Sequence, residues 1–402
     1  MSELVRRIAF TIGALLIFRL GSHIPVVAMW MPTKVALPAS AFPRMSIFSL
    51  GLMPYLTAAV VVRLLSMMSA RLGSLERSGE AGRRVIAGYT LMLTLLLATF
   101  QAYAVAVGLQ SVPGIVDSSD SLFRLSATTS MVGGVFFLVW LCDQITWHGI
   151  GNGLALVLSV TILAPLPQKV AVILTVVRRG MVSTDLALFH MVFWIAVVAL
   201  VVFVEGARRK VRVDFAARKV GQRILPARSA VLPIKLNSAG VLIPIMAAPL
   251  FWSLPLSLAA QNFGGRAPWL IALQNQVAFG KPAHLIIGSI VVFVLALVYA
   301  SYVLDPERAA DSLGKLRGAM PGVEPGEPTA DYLDRLLSPI TLVGALYLVA
   351  VSLISEVFAA RGDMLASYEI SGGSALVVVC TILDIQKQVR DVSLTNLGGE
   401  HR

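Results

Sequence analysis

The sequence predicts an all-α protein that crosses a membrane about ten times. Of its 402 residues, 57% are hydrophobic and only 14% are charged, and the mean hydropathy is +0.80. Soluble domains average about 25% charged residues, so this composition argues strongly against a water-soluble fold. Runs of roughly 20 apolar residues follow one another, and each can cross a hydrocarbon layer of about 30 Å as a helix.

Polar breaks between these runs define ten predicted spans. They cover residues 8–27, 46–68, 87–110, 126–143, 152–176, 186–204, 238–260, 284–304, 339–359 and 370–386. Five spans on each side of the 177–185 connection would give an N-terminal half, 1–180, and a C-terminal half, 181–402, in opposite orientations. Such inverted halves can enclose a pathway at their interface. This topology alone fits a channel or a transporter.

The basic residues predict the orientation, because Lys and Arg are retained on the cytoplasmic side during insertion. With a cytoplasmic N-terminus, that side carries 22 of the 33 basic residues, the opposite side 8 and the spans 3. Both termini are therefore predicted inside. The first apolar run ends without a small-residue cleavage site, and we expect it to be a permanent span.

Two predicted cytoplasmic loops differ in charge. Loop 205–237 holds nine basic residues between 205 and 235 against Glu205 and Asp214, and the alternating segment KVRVDF (210–215) predicts a hairpin strand. This charge suits an anionic partner such as ribosomal RNA or an acidic protein surface, or it serves only as topogenic charge beside anionic lipid. Loop 305–338 holds seven acids and four bases around a Pro/Gly-rich centre, which predicts an exposed turn.

The sequence predicts no enzyme activity, no cofactor and no metal. It contains no GxxxxGK[ST], HExxH or GxSxG motif, and its five histidines and two cysteines lack ligand spacing. The run GIGNG (149–153) has no strand before it, which disfavours nucleotide binding. Ionisable residues such as Arg63 and Lys169 lie toward span ends, where long cations can reach the interface, and this disfavours proton-coupled transport.

Six segments, colinear from about residue 6 to 390, carry a resemblance to a known family. They are RLGSHIP (19–25), IFSLGLMPYL (47–56), GEAGRR (79–84), DQIT with GIGNG (143–153), LPIKLNSAG (232–240) and PGEPTA (325–330). They resemble signature segments of the SecY family, the channel-forming subunits of the Sec protein translocon.

The resemblance implies a clamshell of two five-helix halves around an hourglass pore. The protein is then expected to be the central pore subunit of a translocon in the bacterial cytoplasmic (inner) membrane. It would conduct unfolded secretory polypeptides and release apolar segments laterally into lipid. Implied partners are SecE-like and SecG-like small subunits, the SecA ATPase or the ribosome, precursor proteins and lipids. Two alternatives stay open: a specialised or accessory paralogue acting as an insertase or scaffold, and a small-solute secondary transporter.

The resemblance also assigns roles to residues. Taken alone, the ring positions fit ordinary packing or lipid-facing side chains, and the seam positions fit helix packing. An apolar pore ring would exclude water and block ions, and polar side chains would line the lateral seam. The ring falls on Leu52, Leu56, Leu158, Ile245 and Val377. The seam falls on Thr57, Arg63, Gln101 and Asn237, and the ribosome or motor contact on Arg208, Arg209, Arg218, Lys219 and Glu324.

Three features depart from the family pattern. The plug-like segment 35–45 lies in a short, proline-containing stretch, so a regular plug helix is not expected. Arg63 stands where the family has a neutral polar residue. Glu324 stands where the family carries an arginine that engages SecA, which suggests a specialised paralogue or a motor with compensating charge.

Overall fold

The computed structural model describes residues 3–26, 46–110, 121–215, 218–220, 223–225, 228–238, 240, 256, 267–278, 280–316, 318–324, 326–361, 365 and 371–399. The helices up to the basic loop are α1 Glu3–Gly21, α2 Met53–Met68, α3 Ala70–Arg77, α4 Glu80–Gln110, α5 Ser121–His148, α6 Gly153–Leu163, α7 Leu166–Arg178 and α8 Thr184–Gly206. The later helices are α9 Pro268–Gln276, α10 Pro282–Val303, α11 Pro306–Lys315, α12 Glu327–Ala360 and α13 Gly372–Gly399. The strands are β1 Arg208–Phe215, β2 Arg218–Val220, β3 Arg223–Leu225, β4 Arg228–Lys235 and β5 Gly318–Ala319.

Six helical stretches within the described ranges are long and apolar enough to cross a membrane. They are Glu80–Gln110, Ser121–His148, Gly153–Arg178, Thr184–Gly206, Pro282–Lys315 and Glu327–Phe358. The shorter α2 is also apolar. The predicted span 238–260 and the plug-like segment 35–45 lie outside the described residues, except for 238, 240 and 256. The helices confirm the prediction of an all-α, multi-pass membrane protein.

The helix boundaries differ from those of most predicted spans, for example Glu3–Gly21 for 8–27 and Glu327–Ala360 for 339–359. Two further differences, in the second and fifth spans, have reasons of backbone chemistry. The second was expected from residue 46, but 46–52 form a turn and α2 begins at Met53. Gly51 has a φ of 56°, which a helix does not allow, and Pro54 suits a helical first turn because its missing N–H has no acceptor there. The fifth is divided into α6 and α7 at Pro165, which cannot donate the hydrogen bond of a continuous helix.

The chain forms two compact units, residues 1–164 with 381–402 and residues 165–380. In the first unit α4 packs against α2 and α5. Its buried residues Thr90, Thr94, Ala98, Ala102 and Ala106 recur every four residues, and such a stripe of small side chains lets neighbouring helices approach closely.

The turn before α2 is fixed against α5. The ring of Phe48 stacks between those of Phe18 and Phe137, with centroids 6.1 and 5.8 Å apart. Gly134 on α5 is required there, because a Cβ at this position would lie 2.0 Å from the carbonyl oxygen of Ile47. The start of α2 is therefore set by direct packing.

The second unit joins a small sheet to membrane helices. β1 pairs antiparallel with β4 from Arg208↔Lys235 to Phe215↔Arg228, and β5 pairs with the other edge of β1. One face of this sheet packs on α12 through the apolar residues Val211, Ile234, Met320, Leu333, Leu337 and Ile340. α10 and α11 also pack against α12, so α12 connects the sheet with the membrane-spanning part of the unit.

Candidate functional site

Leu52 and Leu56 lie together at the start of α2. The amide of Leu56 donates to the carbonyl of Leu52 at 2.9 Å, one helical turn apart. Each leucine is only 4% exposed, whereas Met53 between them is 52% exposed. The two predicted ring residues thus share a buried face of α2.

Two of the other three predicted ring positions lie on described helices. Leu158 on α6 and Val377 on α13 are half-buried, and Ile245 lies outside the described residues. Beside Leu158, the hydroxyl of Ser159 donates to Oγ1 of Thr381 at 2.9 Å, and both side chains are buried. This bond ties α6 to the part of α13 in the same unit. The complete five-residue ring stays a prediction.

Arg63 lines a cavity of about 340 Å³ between α2, α4 and α5, whose lining is partly polar and partly apolar. Arg83, Asp143, Tyr55 and Thr90 share this cavity. A half-buried arginine is therefore accommodated by other polar groups among the helices.

Two other predicted seam residues lie on the packed helix pair α2 and α4. Thr57 on α2 and Gln101 on α4 are both half-buried. Their positions fit the predicted polar seam, and they equally fit ordinary packing between helices.

Asn237, the last predicted seam residue, is 4% exposed and lies two residues after the end of β4. Its Nδ2 donates to Oε1 of Glu205 at 2.8 Å. Glu205 is itself 7% exposed in the last turn of α8. In the sequence, Glu205 stands out only as an acid in a basic loop. An acid at the end of an apolar span and just before a basic run was the signal for a buried, hydrogen-bonded role.

The basic loop 205–237 forms a hairpin with the predicted strand structure, and we call it the basic hairpin. Arg208 and Arg209 are exposed on β1, where Val211 and Val213 turn toward the core. Arg218 and Lys219 lie on β2, paired with Leu225 and Ile224 of β3. These four cations are therefore carried by two neighbouring strand pairs of one loop.

A single carboxylate is balanced locally on the exposed face of β1. The guanidinium of Arg212 contacts Oδ1 of Asp214 at 3.3 Å and donates to Oγ of Ser229 at 3.2 Å. Hydrogen bonds from Ser229 and then Arg212 hold the pKa of Asp214 below its ordinary value. Asp214 therefore stays ionised near neutral pH and offsets one cation of the patch.

Glu324 is exposed in a tight turn before α12. Gly322 and Gly326 have φ angles of 79° and 105°, which only glycine adopts readily. The Thr329 hydroxyl donates to the Glu324 carbonyl at 2.7 Å, so the backbone here is anchored while the carboxylate faces outward.

The GIGNG run is an internal junction. The amide of Ile150 donates to Oγ1 of Thr11 at 2.9 Å, and that of Gly151 donates to Oε1 of Gln388 at 2.5 Å. Asn152 caps α6 by accepting from Leu154 and Ala155. Amide groups that a phosphate-binding loop would present to a ligand are therefore occupied by side chains of the same unit.

No group of three or more His, Cys, Asp or Glu side chains that could hold a metal ion occurs in the described part of the chain. Cys142 is buried and Cys380 half-buried, and neither cysteine takes part in a disulfide. His284 pairs with Glu356 at 2.9 Å between α10 and α12. This pair links two helices and supplies too few ligands for a metal site.

The comparisons with known proteins agree on one family. The family model SecY matches residues 46–386. The protein translocase subunit SecY of Escherichia coli K12 is 35% identical over 415 aligned residues, covering 98% of this chain and 93% of the relative.

Solved structures show the same fold. "The structure of a protein conducting channel" matches with a TM-score of 0.66 at 18% identity, covering 96% of this chain and 92% of that chain. "Sec61 in the Canine ribosome-channel complex from the endoplasmic reticulum" matches with a TM-score of 0.62 at 17% identity and the same coverage. With a matching fold, a family model across most of the chain and a relative of this identity, the chain belongs to the SecY family.

Proposed function

We propose that this chain is the central pore subunit of a Sec-type translocon. It conducts unfolded secretory polypeptides across the membrane and releases apolar segments into lipid. The observation that carries the proposal is the 35% identity to a SecY translocase subunit over 98% of the chain. A small-solute transporter needs a buried binding site at mid-membrane. Membership of the SecY family favours a polypeptide channel over such a transporter.

The proposed pore is passive, and it has no catalytic step or cofactor. Its narrowest part is a ring of Leu52, Leu56, Leu158, Ile245 and Val377, contributed by both halves, 1–180 and 181–402. A channel for arbitrary sequences gains from an apolar constriction, because such a ring excludes water and ions without binding the passing chain. The buried, shared face of Leu52 and Leu56 supports this role.

The proposed seam opens between the second and seventh spans. Thr57, Arg63 and Gln101 line it on one side and Asn237 on the other. Half-buried polar side chains on packed membrane helices support the proposal, because each must find a polar partner when the seam is closed.

The proposed location is the bacterial cytoplasmic membrane with both termini inside, since most Lys and Arg residues then lie on the cytoplasmic side. SecE-like and SecG-like subunits complete the complex, and the ribosome or SecA supplies the driving force. Arg208 and Arg209, exposed on β1, support docking of such a partner. The canine relative is described in a ribosome-channel complex.

A second candidate is a specialised paralogue that acts mainly as an insertase or scaffold. The observation in its favour is Glu324, an exposed carboxylate at the Pro-Gly turn where the resemblance calls for arginine.

Depletion of the protein in its native cell tests the proposal. We expect a secreted reporter and a membrane-inserted reporter to accumulate as precursors, and restored expression should reverse both effects. Loss of insertion with normal secretion would favour the insertase. Normal processing of both reporters would overturn the channel function.

A further inference from the structure

One edge of strand β1 is open. β4 pairs with β1 along its whole length, whereas β5 pairs only with Asp214 and Phe215. Within the described ranges, residues 208–213 therefore have no neighbouring strand on that side. An open edge offers rows of backbone donors and acceptors to another chain.

Backbone hydrogen-bonding groups alternate in direction along β1, and this alternation shows which residues turn their N–H and C=O groups toward the open edge. The amide of Leu236 donates to the carbonyl of Ala207 at 3.3 Å, one step beyond the Arg208↔Lys235 pair. Because hydrogen-bonded pairs alternate in an antiparallel ladder, the odd-numbered residues of β1 bond to β4. Pro233 opposite Lys210 agrees, since proline has no N–H to donate. Arg208, Lys210 and Arg212 therefore direct their backbone N–H and C=O groups toward the open edge.

A groove of about 240 Å³ runs beside this edge. Its basic wall is formed by Arg209, Lys210 and Arg212. Its apolar wall is formed by Met320, Leu336 and the ring of Tyr332, which is 42% exposed. No carboxylate lines it within the described residues. The groove combines backbone hydrogen-bonding groups, positive charge and an apolar surface.

We propose that this groove binds an extended acidic segment of a partner protein. The segment would pair with residues 208–213 of β1 as a further strand, on the same edge as β5 and in line with it. Main-chain hydrogen bonds would supply affinity, and alternate acidic and apolar side chains would meet the two walls. A nucleic acid would satisfy the cations but leave the strand edge and apolar wall unused. The proposal rests on the proposed function only in assigning this surface to a cytoplasmic partner.

The test uses the full chain in lipid nanodiscs and a labelled ten-residue peptide of alternating Glu and Val, measured by fluorescence anisotropy. We expect saturable binding that weakens with salt, because exposed charge pairs are screened. The same peptide with alternate backbone amides methylated keeps its charge and cannot donate along that edge. We expect it to bind about tenfold more weakly.

A pair of variants separates the contribution of the outward backbone N–H to peptide binding from that of the side-chain charge. Arg212→Pro and Arg212→Ala both remove the guanidinium with its contacts to Asp214 and Ser229. Only the proline also removes the outward N–H, and neither substitution removes a backbone hydrogen bond to β4. We expect the proline variant to bind the peptide about tenfold more weakly than the alanine variant. Hairpin integrity is checked by limited proteolysis, and the methylated peptide tests the same point without any mutation.

Equal binding of the methylated and unmethylated peptides would overturn strand addition. Translocation of a secretory precursor into vesicles is measured on the same preparation. Absent peptide binding with normal translocation would remove only this proposal. Normal peptide binding without translocation would instead count against the channel function.

Discussion

Asn237 donates a 2.8 Å hydrogen bond from Nδ2 to Oε1 of Glu205, and both side chains are buried. The bond joins the last turn of α8 to the chain leaving β4. Next to it, the amide of Leu236 donates to the carbonyl of Ala207. Together these contacts close the base of the basic hairpin.

Loss of this acceptor should destabilise the hairpin base. Glu205→Ala leaves a buried amide donor unpaired, which costs about 1–3 kcal/mol. We expect a lower Tm in detergent and faster proteolysis within 205–237. Glu205→Gln keeps an acceptor oxygen for Asn237 and serves as the matched control. If both variants behave alike, the hydrogen bond contributes little to the hairpin.

Charge reversal in the hairpin should weaken docking of the cytoplasmic partner. Replacing Arg208, Arg209, Arg218 and Lys219 with Glu is expected to reduce ribosome or SecA binding to channel-containing membranes by about tenfold or more, and less at high salt. Arg178 and Arg179, replaced with Glu, form the control because the proposed topology puts them on the opposite side. Unchanged binding with normal membrane insertion would assign the hairpin charge to topology alone.

Polar substitutions in the proposed ring should make the channel leak. Leu56→Ser combined with Leu158→Ser should admit water to the constriction and raise ion flux through reconstituted vesicles, because an apolar gate works by dewetting. Met53→Ser combined with Leu163→Ser is the control, since both side chains are exposed on the same two helices. Similar flux in the two double variants would remove Leu56 and Leu158 from the gate.

Crosslinking tests whether the ring closes across the two halves. In a chain with Cys142 and Cys380 replaced by Ala, cysteines at positions 56 and 245 should be joined by a short bifunctional reagent. A cysteine pair at 53 and 245 should not, because Met53 lies on the exposed side of α2. Reaction of the second pair alone would place Ile245 elsewhere.

The charge at position 324 should affect the motor. Glu324→Arg restores a planar, multi-donor cation at an exposed turn. We expect several-fold faster SecA-stimulated translocation of a secretory precursor in reconstituted vesicles with a conventional SecA. Asp311→Arg makes the same charge change at an exposed position of α11, away from the turn, and should have little effect. Equal rates for the original chain and the Glu324 variant would show that the carboxylate is tolerated.

Local patterns in the sequence predicted much of this protein. Apolar runs determine which segments can form membrane helices, because the bilayer accepts backbone polar groups only when they are internally hydrogen-bonded. The alternating segment KVRVDF correctly predicted β1. The signature segments identified the SecY family, which the comparisons show.

Tertiary structure decided the features that depend on partners distant in sequence. Only the fold brings Asn237 to Glu205, Gln388 to the amide of Gly151, and β5 to one end of β1. Hydrophobicity determines which side chains leave water, but hydrogen-bond partners and open strand edges depend on which backbones the packing brings together. The sequence therefore determined the membrane fold and family of this protein, and the tertiary structure decided which polar groups are occupied and which remain open for a partner.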